Sequence, residues 1–367
     1  MAFQKQATLG QASAAPVSCP TRYAYVSRLR SIRKGVQVYD ARTLKPHILV
    51  DETQVECPVR GCSQKVARQL RVFQTAPQFQ CPEHNIYISP STFEYPTELD
   101  NLLWKDEQDI SLLESIKGNK RESRMARDNS EDALSWNVFR YLEKKGHLSA
   151  ILSCIIGRDL GALQLVYWSC SPVLERVWPE LTAARQEFGE QLQRSSEPDL
   201  IAFNDKTMLF IEAKFTASNE TTPSDPENQK KYVTGGNGWY HQVFASDYDV
   251  IANDAQKYEL LRFWLLGSWI AAQGERDFCL VNLVRSECEQ AIEKLFGRHI
   301  KANAHRYFMR LTWEEIYQRI AEKTPSSAER DSLLEYFEYK TVGYNQFGEL
   351  QRAFSISKDS IARANGG

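Results

Sequence analysis

Four potential metal ligands with paired spacing constrain this chain more than any other feature of its sequence. Cys57 and Cys62 are separated by four residues, eighteen residues follow, and Cys81 and His84 are separated by two. Zinc prefers four tetrahedral sulfur and nitrogen ligands, which proteins often supply as two short-spaced pairs on turns. Each pair begins with a Cys-Pro dipeptide, and Gly61 precedes Cys62, as suits tight turns. The spacing predicts a small β-rich module that holds one structural Zn²⁺.

The oxidation state of the remaining cysteines depends on the cellular compartment, which the sequence also indicates. The chain has no run of about 18 apolar residues, and its first twenty residues lack the apolar core of a signal peptide. We therefore expect a cytoplasmic protein with no membrane segment and with reduced thiols. Cys19 could replace one zinc ligand. The alternative to a zinc site is three buried cysteines and a surface histidine. The other cysteines are expected to be core thiols: Cys154, Cys170, Cys279 and Cys288.

Basic residues are concentrated in the first third of the chain, although the formal net charge is only −2. Eleven Lys and Arg residues lie between Arg22 and Arg71 against four acidic residues, and a second basic cluster runs from Lys117 to Arg127. Local basic surfaces are what a polyanion requires, but solvated helix faces can have the same composition. Arg121 and Arg124 of the second cluster are candidate contacts to nucleic acid, and such contacts should weaken with salt.

Two acids and a lysine stand on two predicted strands in the second half of the chain. The strands cover residues 199–203 and 208–215, and a turn joins them. Residues two apart on a strand share a face, so Glu212 and Lys214 should project together, and Asp199 can reach them from the partner strand. Two carboxylates suit a hard divalent cation such as Mg²⁺ or Mn²⁺, and a lysine can stabilise developing negative charge. The alternative is an exposed Glu212–Lys214 salt bridge on an edge strand.

This pattern of Pro198-Asp199, twelve residues and Glu212-Ala213-Lys214 resembles the PD-(D/E)xK nuclease superfamily. The resemblance covers roughly residues 130–315 and implies an α/β, restriction-endonuclease-like core, in which helices flank a mixed central sheet in the order αβββαβ. It also implies Mg²⁺-dependent hydrolysis of DNA at Asp199, Glu212 and Lys214. The apolar period of residues 131–144 predicts a helix, for which Asp128, Asn129 and Ser130 all offer caps. In that family an acid on a preceding helix often completes the metal site, and Glu131 fits this position. The helix dipole alone would also favour an acid there.

The segments after the motif add weaker candidates for contacts to nucleic acid. A polar loop is predicted from Thr216 to Asn237 and contains Lys230 and Lys231. One long helix, or two with a break, is predicted for residues 242–273. It carries Gln256, which is similar to a Gln found after the core in some family members, although a mid-helix Gln is usually a surface residue. Before the motif, the chain up to Leu192 is predicted to be mixed helix.

The predicted organisation is a leader (1–20), a zinc-ribbon-like domain (21–120), a nuclease domain (128–325) and a C-terminal extension (326–367). The predicted function is DNA hydrolysis in a bacterial or phage DNA-processing or antiviral defence system. Two alternatives stay open: a catalytically silent scaffold that binds nucleic acid or a partner protein, and an RNA-directed nuclease. The sequence has no GxxxxGK[ST] motif, so an ATPase or targeting activity would come from a partner protein. Cutting both strands would need two sites, as in a homodimer.

Overall fold

The computed structural model describes residues 42–70, 73–119, 124–173, 176–190 and 197–356. Every described helix and strand belongs to one compact unit, which spans Tyr39–Gly367. The predicted leader lies outside the described residues, as do Cys19, Arg121 and most of the first basic cluster.

Two short antiparallel hairpins build the small module predicted around the zinc ligands. β1 (Gln54–Glu56) pairs with β2 (Lys65–Ala67), and β3 (Tyr87–Ile88) pairs with β4 (Phe93–Glu94). The apolar side chains of both hairpins form a separate hydrophobic cluster, which also contains the three cysteines of the predicted site. The module is therefore β-rich, as predicted.

A seven-stranded mixed sheet forms the centre of the rest of the described chain. In chain order its strands are β5 (Gln164–Tyr167), β6 (Cys170–Ser171), β7 (Arg176–Val177), β8 (Leu200–Phe203), β9 (Thr207–Ala213), β10 (Asp277–Val284) and β11 (Arg306–Thr312). Their order in the sheet is β11-β10-β9-β8-β5-β6-β7. The first three strands in this order are parallel, and the other neighbouring pairs are antiparallel.

Helices cover both faces of this sheet. They are α1 (Glu107–Asn119), α2 (Glu131–Lys144), α3 (Leu148–Ile156), α4 (Pro179–Glu187), α5 (Asn228–Gly238), α6 (Tyr240–Val243), α7 (Tyr258–Gln273), α8 (Ile292–Gly297), α9 (Trp313–Lys323) and α10 (Ala328–Tyr339). One core cluster joins the sheet to α2, α3, α9 and α10, and a second joins its other face to α4, α7 and α8. Since both faces are covered, β9 is buried along its whole length, which explains its continuous apolar run.

The main elements appear in the order that the resemblance implied: α2, β5, β8, β9, α7 and β10. Helix α2 begins and ends at the predicted residues, and the Oγ of Ser130 caps it by accepting a hydrogen bond from the backbone N–H of Ala133, at 3.1 Å. The predicted fold class, a mixed central sheet flanked by helices and preceded by a small β-rich module, is confirmed.

The C-terminal part of the described chain packs against the N-terminal module. β12 (Thr341–Tyr344) and β13 (Leu350–Arg352) form a hairpin, and the backbone N–H of Tyr344 donates to the carbonyl oxygen of Ser91 at 2.6 Å. Gly343 lies at φ +117°, and a Cβ built there would stand 1.9 Å from the Ser91 carbonyl oxygen. Only glycine therefore permits this close approach of the two backbones.

Two predicted segments differ from the structure. The region up to Leu192 was expected to be mixed helix but contains β5, β6 and β7, which are too short to show a period in the sequence. The predicted loop from Thr216 to Asn237 contains most of α5. The last residues before Gly238 leave helical backbone angles, and Tyr232 packs in the second core cluster. Tertiary packing thus stabilises a helix in a segment whose Gly and Asn residues favour a turn.

Residues 242–273 were predicted to form one long helix or two with a break, and the structure interrupts this segment twice. α6 ends at Val243, a single π-helical turn spans Val250–Asp254, and α7 begins only at Tyr258. Gln256 lies between the last two elements with a positive φ of 53° and is therefore not a mid-helix residue. The break places the first turn of α7 near the predicted site on β9.

Candidate active site and metal centre

The four predicted zinc ligands converge in the N-terminal module. The Sγ atoms of Cys62 and Cys81 are 3.8 Å apart, and the Nδ1 of His84 lies 3.6 Å from the Sγ of Cys57 and 3.6 Å from that of Cys81. All four ligand atoms lie within 4.8 Å of one another. Tetrahedral zinc with Zn–S bonds of about 2.3 Å separates two sulfur ligands by about 3.8 Å. The four side chains could therefore hold one Zn²⁺, and His84 faces the thiols rather than lying free on the surface.

Local backbone geometry explains this convergence. Cys57 and Cys62 lie in the loop that joins β1 to β2, where Gly61 adopts a left-handed φ of +84°. Burial raises the pKa of the Cys57 thiol, while a hydrogen bond from the Val59 backbone N–H lowers it. Burial likewise raises the pKa of Cys62, and the Gln64 N–H lowers it. Backbone donors aimed at sulfur suit thiolate ligands, because a metal site requires the deprotonated form.

The other cysteines are dispersed. Cys170 and Cys279 are buried, as expected for core thiols. Cys288 is only partly buried, and Cys154 is exposed, so the interpretation of Cys154 as a core thiol is wrong. It stands on α3, whose last turn is only partly covered by the core.

The acid and the lysine of the predicted catalytic motif lie at the carboxyl end of β9, in the middle of the sheet. Glu212 is 3% exposed and Lys214 is 9% exposed. The Lys214 ammonium donates to the Glu212 carboxylate, and its backbone N–H continues the pairing with β10 by donating to the Leu283 carbonyl oxygen at 2.7 Å. The alternative of an exposed salt bridge on an edge strand is therefore wrong. Carboxyl ends of parallel strands are where open α/β sheets commonly bind ligands.

Asp199 faces this pair from the neighbouring strand. The register pairs Leu200 with Ile211, and its continuation sets Asp199 opposite Glu212 on the same face. The two carboxylate oxygens of Asp199 accept hydrogen bonds from the Trp168 Nε1–H at 3.0 Å and the Ala213 backbone N–H at 2.8 Å. These donors orient the carboxylate, which is 8% exposed.

Glu131 and Glu259 bring two further carboxylates to the site from opposite faces of the sheet. Glu131, in the first turn of α2, accepts a hydrogen bond from the Phe215 backbone N–H at 2.6 Å. Glu259, in the first turn of α7, accepts one from the Lys214 ammonium at 3.2 Å. The sequence motif does not include Glu259. The only indication in the sequence that Glu259 belongs to the site is its position three residues after the candidate residue Gln256.

The site carries more carboxylates than cations. Burial lowers the pKa of Lys214, but the four carboxylates of Glu212, Glu259, Glu131 and Asp199 outweigh it and raise that pKa well above its usual range. Burial, followed by the charge of Asp199, raises the pKa of Glu212. One Glu212 oxygen, Oε2, is buried without a hydrogen-bond partner in the described part of the chain. A buried anionic cluster with an unpaired acceptor suits a cation.

These carboxylates do not converge as tightly as the zinc set. Within the described ranges, Cys57, Cys62, Cys81 and His84 are the one group of three or more His, Cys, Asp or Glu side chains placed so that they could hold a metal ion. In the acidic cluster, the Lys214 ammonium contacts two of the carboxylates directly. The arrangement is that of a buried ion-pair network with spare acceptor capacity.

Glu131 should make the stability of the Mg²⁺-free protein depend on pH. Burial raises the pKa of Glu131 from its ordinary value of 4.5 to about 8, and the Lys214 charge lowers it less. The folded state then retains a proton that the unfolded chain releases, so stability is lost as the pH rises through about 8. In urea unfolding between pH 5 and pH 9, the wild type should lose a few kcal/mol relative to Glu131→Gln. Parallel curves for the two proteins would contradict the assignment.

The candidate nucleic-acid contacts occupy separate places. Lys230 is exposed and Lys231 is partly buried, both on α5, where the Lys231 ammonium lies 5.2 Å from the ring centroid of Tyr232. Gln256 and Arg124 are exposed. Their role in binding stays a prediction.

A comparison with protein families decides the relationship of the chain. The model of a family described as "Restriction Endonuclease associating with ARP" (REase-ARP) matches residues 64–340, about three quarters of the chain. The chain belongs to this family. The REase-ARP match includes the whole acidic site, whereas of the zinc set it includes Cys81 and His84 but not Cys57 and Cys62. No curated protein and no solved structure matches the chain.

One structural finding concerns membranes. No helix of this REase-ARP member, among the residues described, is both long enough and apolar enough to cross a bilayer.

Proposed function

We propose that the protein is a divalent-metal-dependent nuclease that hydrolyses phosphodiester bonds of DNA. The observation that carries this proposal is the buried cluster of Asp199, Glu212 and Lys214, where the amino end of β8 meets the carboxyl end of the antiparallel strand β9. Membership of a restriction-endonuclease family supports it, because the cluster lies within the matched residues. The sequence motif of the PD-(D/E)xK superfamily is the basis for proposing hydrolysis at these residues in particular.

Asp199 and Glu212 would hold Mg²⁺ or Mn²⁺, and Glu131 would serve as an auxiliary ligand. The fit rests on the unpaired Oε2 of Glu212 and on the surplus of carboxylates over the Lys214 ammonium. Carboxylate oxygens are the ligands that these hard cations prefer. When bound, such a cation polarises a phosphate and lowers the pKa of a coordinated water molecule.

The side chains of the protein perform the remaining tasks. The Lys214 ammonium stays protonated because of its carboxylate neighbours, so it can stabilise negative charge that develops on the phosphate. Glu259 holds this ammonium from the first turn of α7. Trp168 and Ala213 hold Asp199 in a fixed orientation, which limits the reorganisation needed when substrate binds.

The zinc module and a partner protein would direct the nuclease to its DNA substrate. We propose that Cys57, Cys62, Cys81 and His84 bind one structural Zn²⁺, since their ligand atoms all lie within 4.8 Å of one another and sulfur and nitrogen are the ligands that zinc prefers. The family description names an association with ARP, and we propose that this chain also acts with a protein partner, which would supply targeting or ATPase activity. A role in bacterial or phage DNA processing or defence would fit such a division of labour.

Incubation of the zinc-loaded protein with supercoiled plasmid, linear DNA and RNA tests the proposal. We expect DNA cleavage that requires Mg²⁺ or Mn²⁺ and that stops when Ca²⁺ replaces them, because Ca²⁺ tolerates looser coordination and activates water poorly. If only RNA is cut, the substrate assignment is wrong. If nothing is cut but DNA is bound, the scaffold function replaces the enzyme.

A further inference from the structure

A hydrogen-bond network of two buried asparagines and a half-buried glutamate lies beside the acidic cluster. The Asn219 backbone N–H donates to the Glu289 carboxylate at 2.8 Å, and its side-chain Nδ2 donates to the same carboxylate at 2.8 Å. That Nδ2 also donates to the Asn282 Oδ1 at 2.6 Å, and the Asn282 Nδ2 donates to Glu289 at 2.6 Å. Both asparagines are 0% exposed. Glu289 holds this position with a left-handed φ of 47°, a conformation that costs free energy in a residue other than glycine.

The sheet register places this network next to Glu212. Asn282 of β10 pairs with Glu212 of β9 in the parallel ladder, so the two side chains share a face on strands about 4.8 Å apart. Asn219 contacts Asn282 directly and therefore lies on that face as well. None of these three network residues formed part of the predicted motif.

One atom of the network has an unexplained environment. The Oδ1 of Asn219 is buried and has no hydrogen-bond partner among the residues that the structure describes. Its orientation is determined by the network, because a flipped amide would direct Oδ1 at two acceptors, the Glu289 carboxylate and the Asn282 Oδ1. Buried acceptors nearly always have a partner, which can be an internal water or a hydrated ion. Glu212 Oε2 is a second buried acceptor without a partner in the same region.

We propose that Asn219 is a positioning residue for the divalent cation, with its Oδ1 accepting a hydrogen bond from a water molecule of the cation's hydration shell. The inference rests on the proposed function, since it assumes a cation at Glu212. Mg²⁺ and Mn²⁺ usually retain several water ligands in protein sites, so a neutral amide oxygen beside the carboxylates is suited to orient one of them. Glu289 and Asn282 then fix the direction of the Asn219 amide.

Mn²⁺ binding to the full, zinc-loaded chain, measured by electron paramagnetic resonance without DNA, tests this role. Asn219→Ala removes the Oδ1, whereas Asn282→Ala disturbs the same network but leaves that oxygen in place. We expect Asn219→Ala to weaken Mn²⁺ binding by about ten-fold or more, and Asn282→Ala to weaken it clearly less. Equal weakening in both variants, or none in Asn219→Ala, would overturn the proposal while leaving the nuclease function intact. A wild type that binds no Mn²⁺ would overturn both.

If Asn219→Ala does not fold, an exchange of charge between residues 219 and 289 tests the role of Asn219 instead. The double variant Asn219→Asp/Glu289→Gln preserves the total charge and the number of hydrogen-bonding groups but moves the negative charge to position 219. If the Oδ1 of residue 219 faces the cation's hydration shell, this variant should bind Mn²⁺ several-fold more tightly than the wild type. Unchanged or weaker binding in the folded double variant would refute the placement of Asn219.

Discussion

Asp199→Ala and Lys214→Ala should each reduce DNA cleavage by at least about a thousand-fold. The two losses should differ in origin. Removal of Asp199 takes away a ligand, so Mn²⁺ binding should fall together with turnover. Removal of Lys214 takes away the charge that stabilises the transition state, so turnover should fall while Mn²⁺ binding is retained or strengthened. Single-turnover cleavage and Mn²⁺ titration of each variant separate the two effects.

The same hairpin provides matched controls. Asp205 and Lys206 are exposed in the turn between β8 and β9, so Asp205→Ala and Lys206→Ala alter the same residue types outside the site. Both controls should cut DNA at the wild-type rate. Asp199→Ala also removes the carboxylate that accepts hydrogen bonds from Trp168 and Ala213, which should cost about 1–3 kcal/mol. Thermal unfolding must therefore show that the variant is folded at the assay temperature. Wild-type cleavage by either site variant would disprove the catalytic assignment.

Glu131→Ala should cause a smaller loss of cleavage than either of these variants. Its carboxylate accepts a hydrogen bond from the Phe215 backbone N–H, next to Lys214, and its charge acts on Lys214 across the sheet. An auxiliary ligand or water-bridging group contributes less than the residues that hold the cation and the phosphate charge. Cleavage by Glu131→Ala should therefore fall between that of Lys206→Ala and that of Lys214→Ala.

Loss of zinc should unfold the N-terminal module. The wild type should contain about one zinc per chain, and Cys62→Ser should lower that content, because the four side chains converge and carry the ligand atoms that zinc prefers. Structural zinc contributes binding free energy on the order of 10 kcal/mol, and that free energy also stabilises the fold. The C-terminal hairpin should lose protection too, since Tyr344 donates to Ser91 of the module and packs in its core. Elemental analysis and hydrogen exchange measure both effects.

Cys154→Ser is the control for the zinc experiment. Cys154 is an exposed cysteine on α3, outside the cluster, so its substitution should change neither the zinc content nor the exchange of the module. A folded wild type without zinc, or a Cys62→Ser variant with full zinc content and an unchanged module, would show that the cluster is only a group of buried thiols.

Features that depend on residues close together in the chain could be predicted from the sequence. The two ligand pairs lie on tight turns, so their spacing alone indicated that each pair would converge. Helix α2 has a Ser cap and an amphipathic period, and both of its ends were predicted. The β8–β9 hairpin was predicted with its ends displaced by one or two residues, because a turn of strong propensity joins two apolar runs.

The acidic site required more than the sequence motif. The spacing of Asp199, Glu212 and Lys214 suggested that they share a face, but the burial of the site follows from the helices that cover both sides of the sheet. Burial turns an ordinary Glu–Lys pair into a network with raised pKa values for Glu212 and Glu131, because removal of water penalises charge.

Only the tertiary structure revealed Glu259 and the Asn219 network. Glu259 meets Lys214 from a position 45 residues away, and Asn219 meets Asn282 from a position 63 residues away. A local pattern cannot encode such contacts, because they depend on how α7 and the loops pack on the sheet. The short strand β5 forms for the same reason: it gains hydrogen bonds from the distant strand β8, and its own residues carry no period that distinguishes it from helix. The sequence alone thus predicted the fold class, the convergence of the four proposed zinc ligands and the proposed catalytic motif. The packing of the sheet determined which other side chains meet that motif.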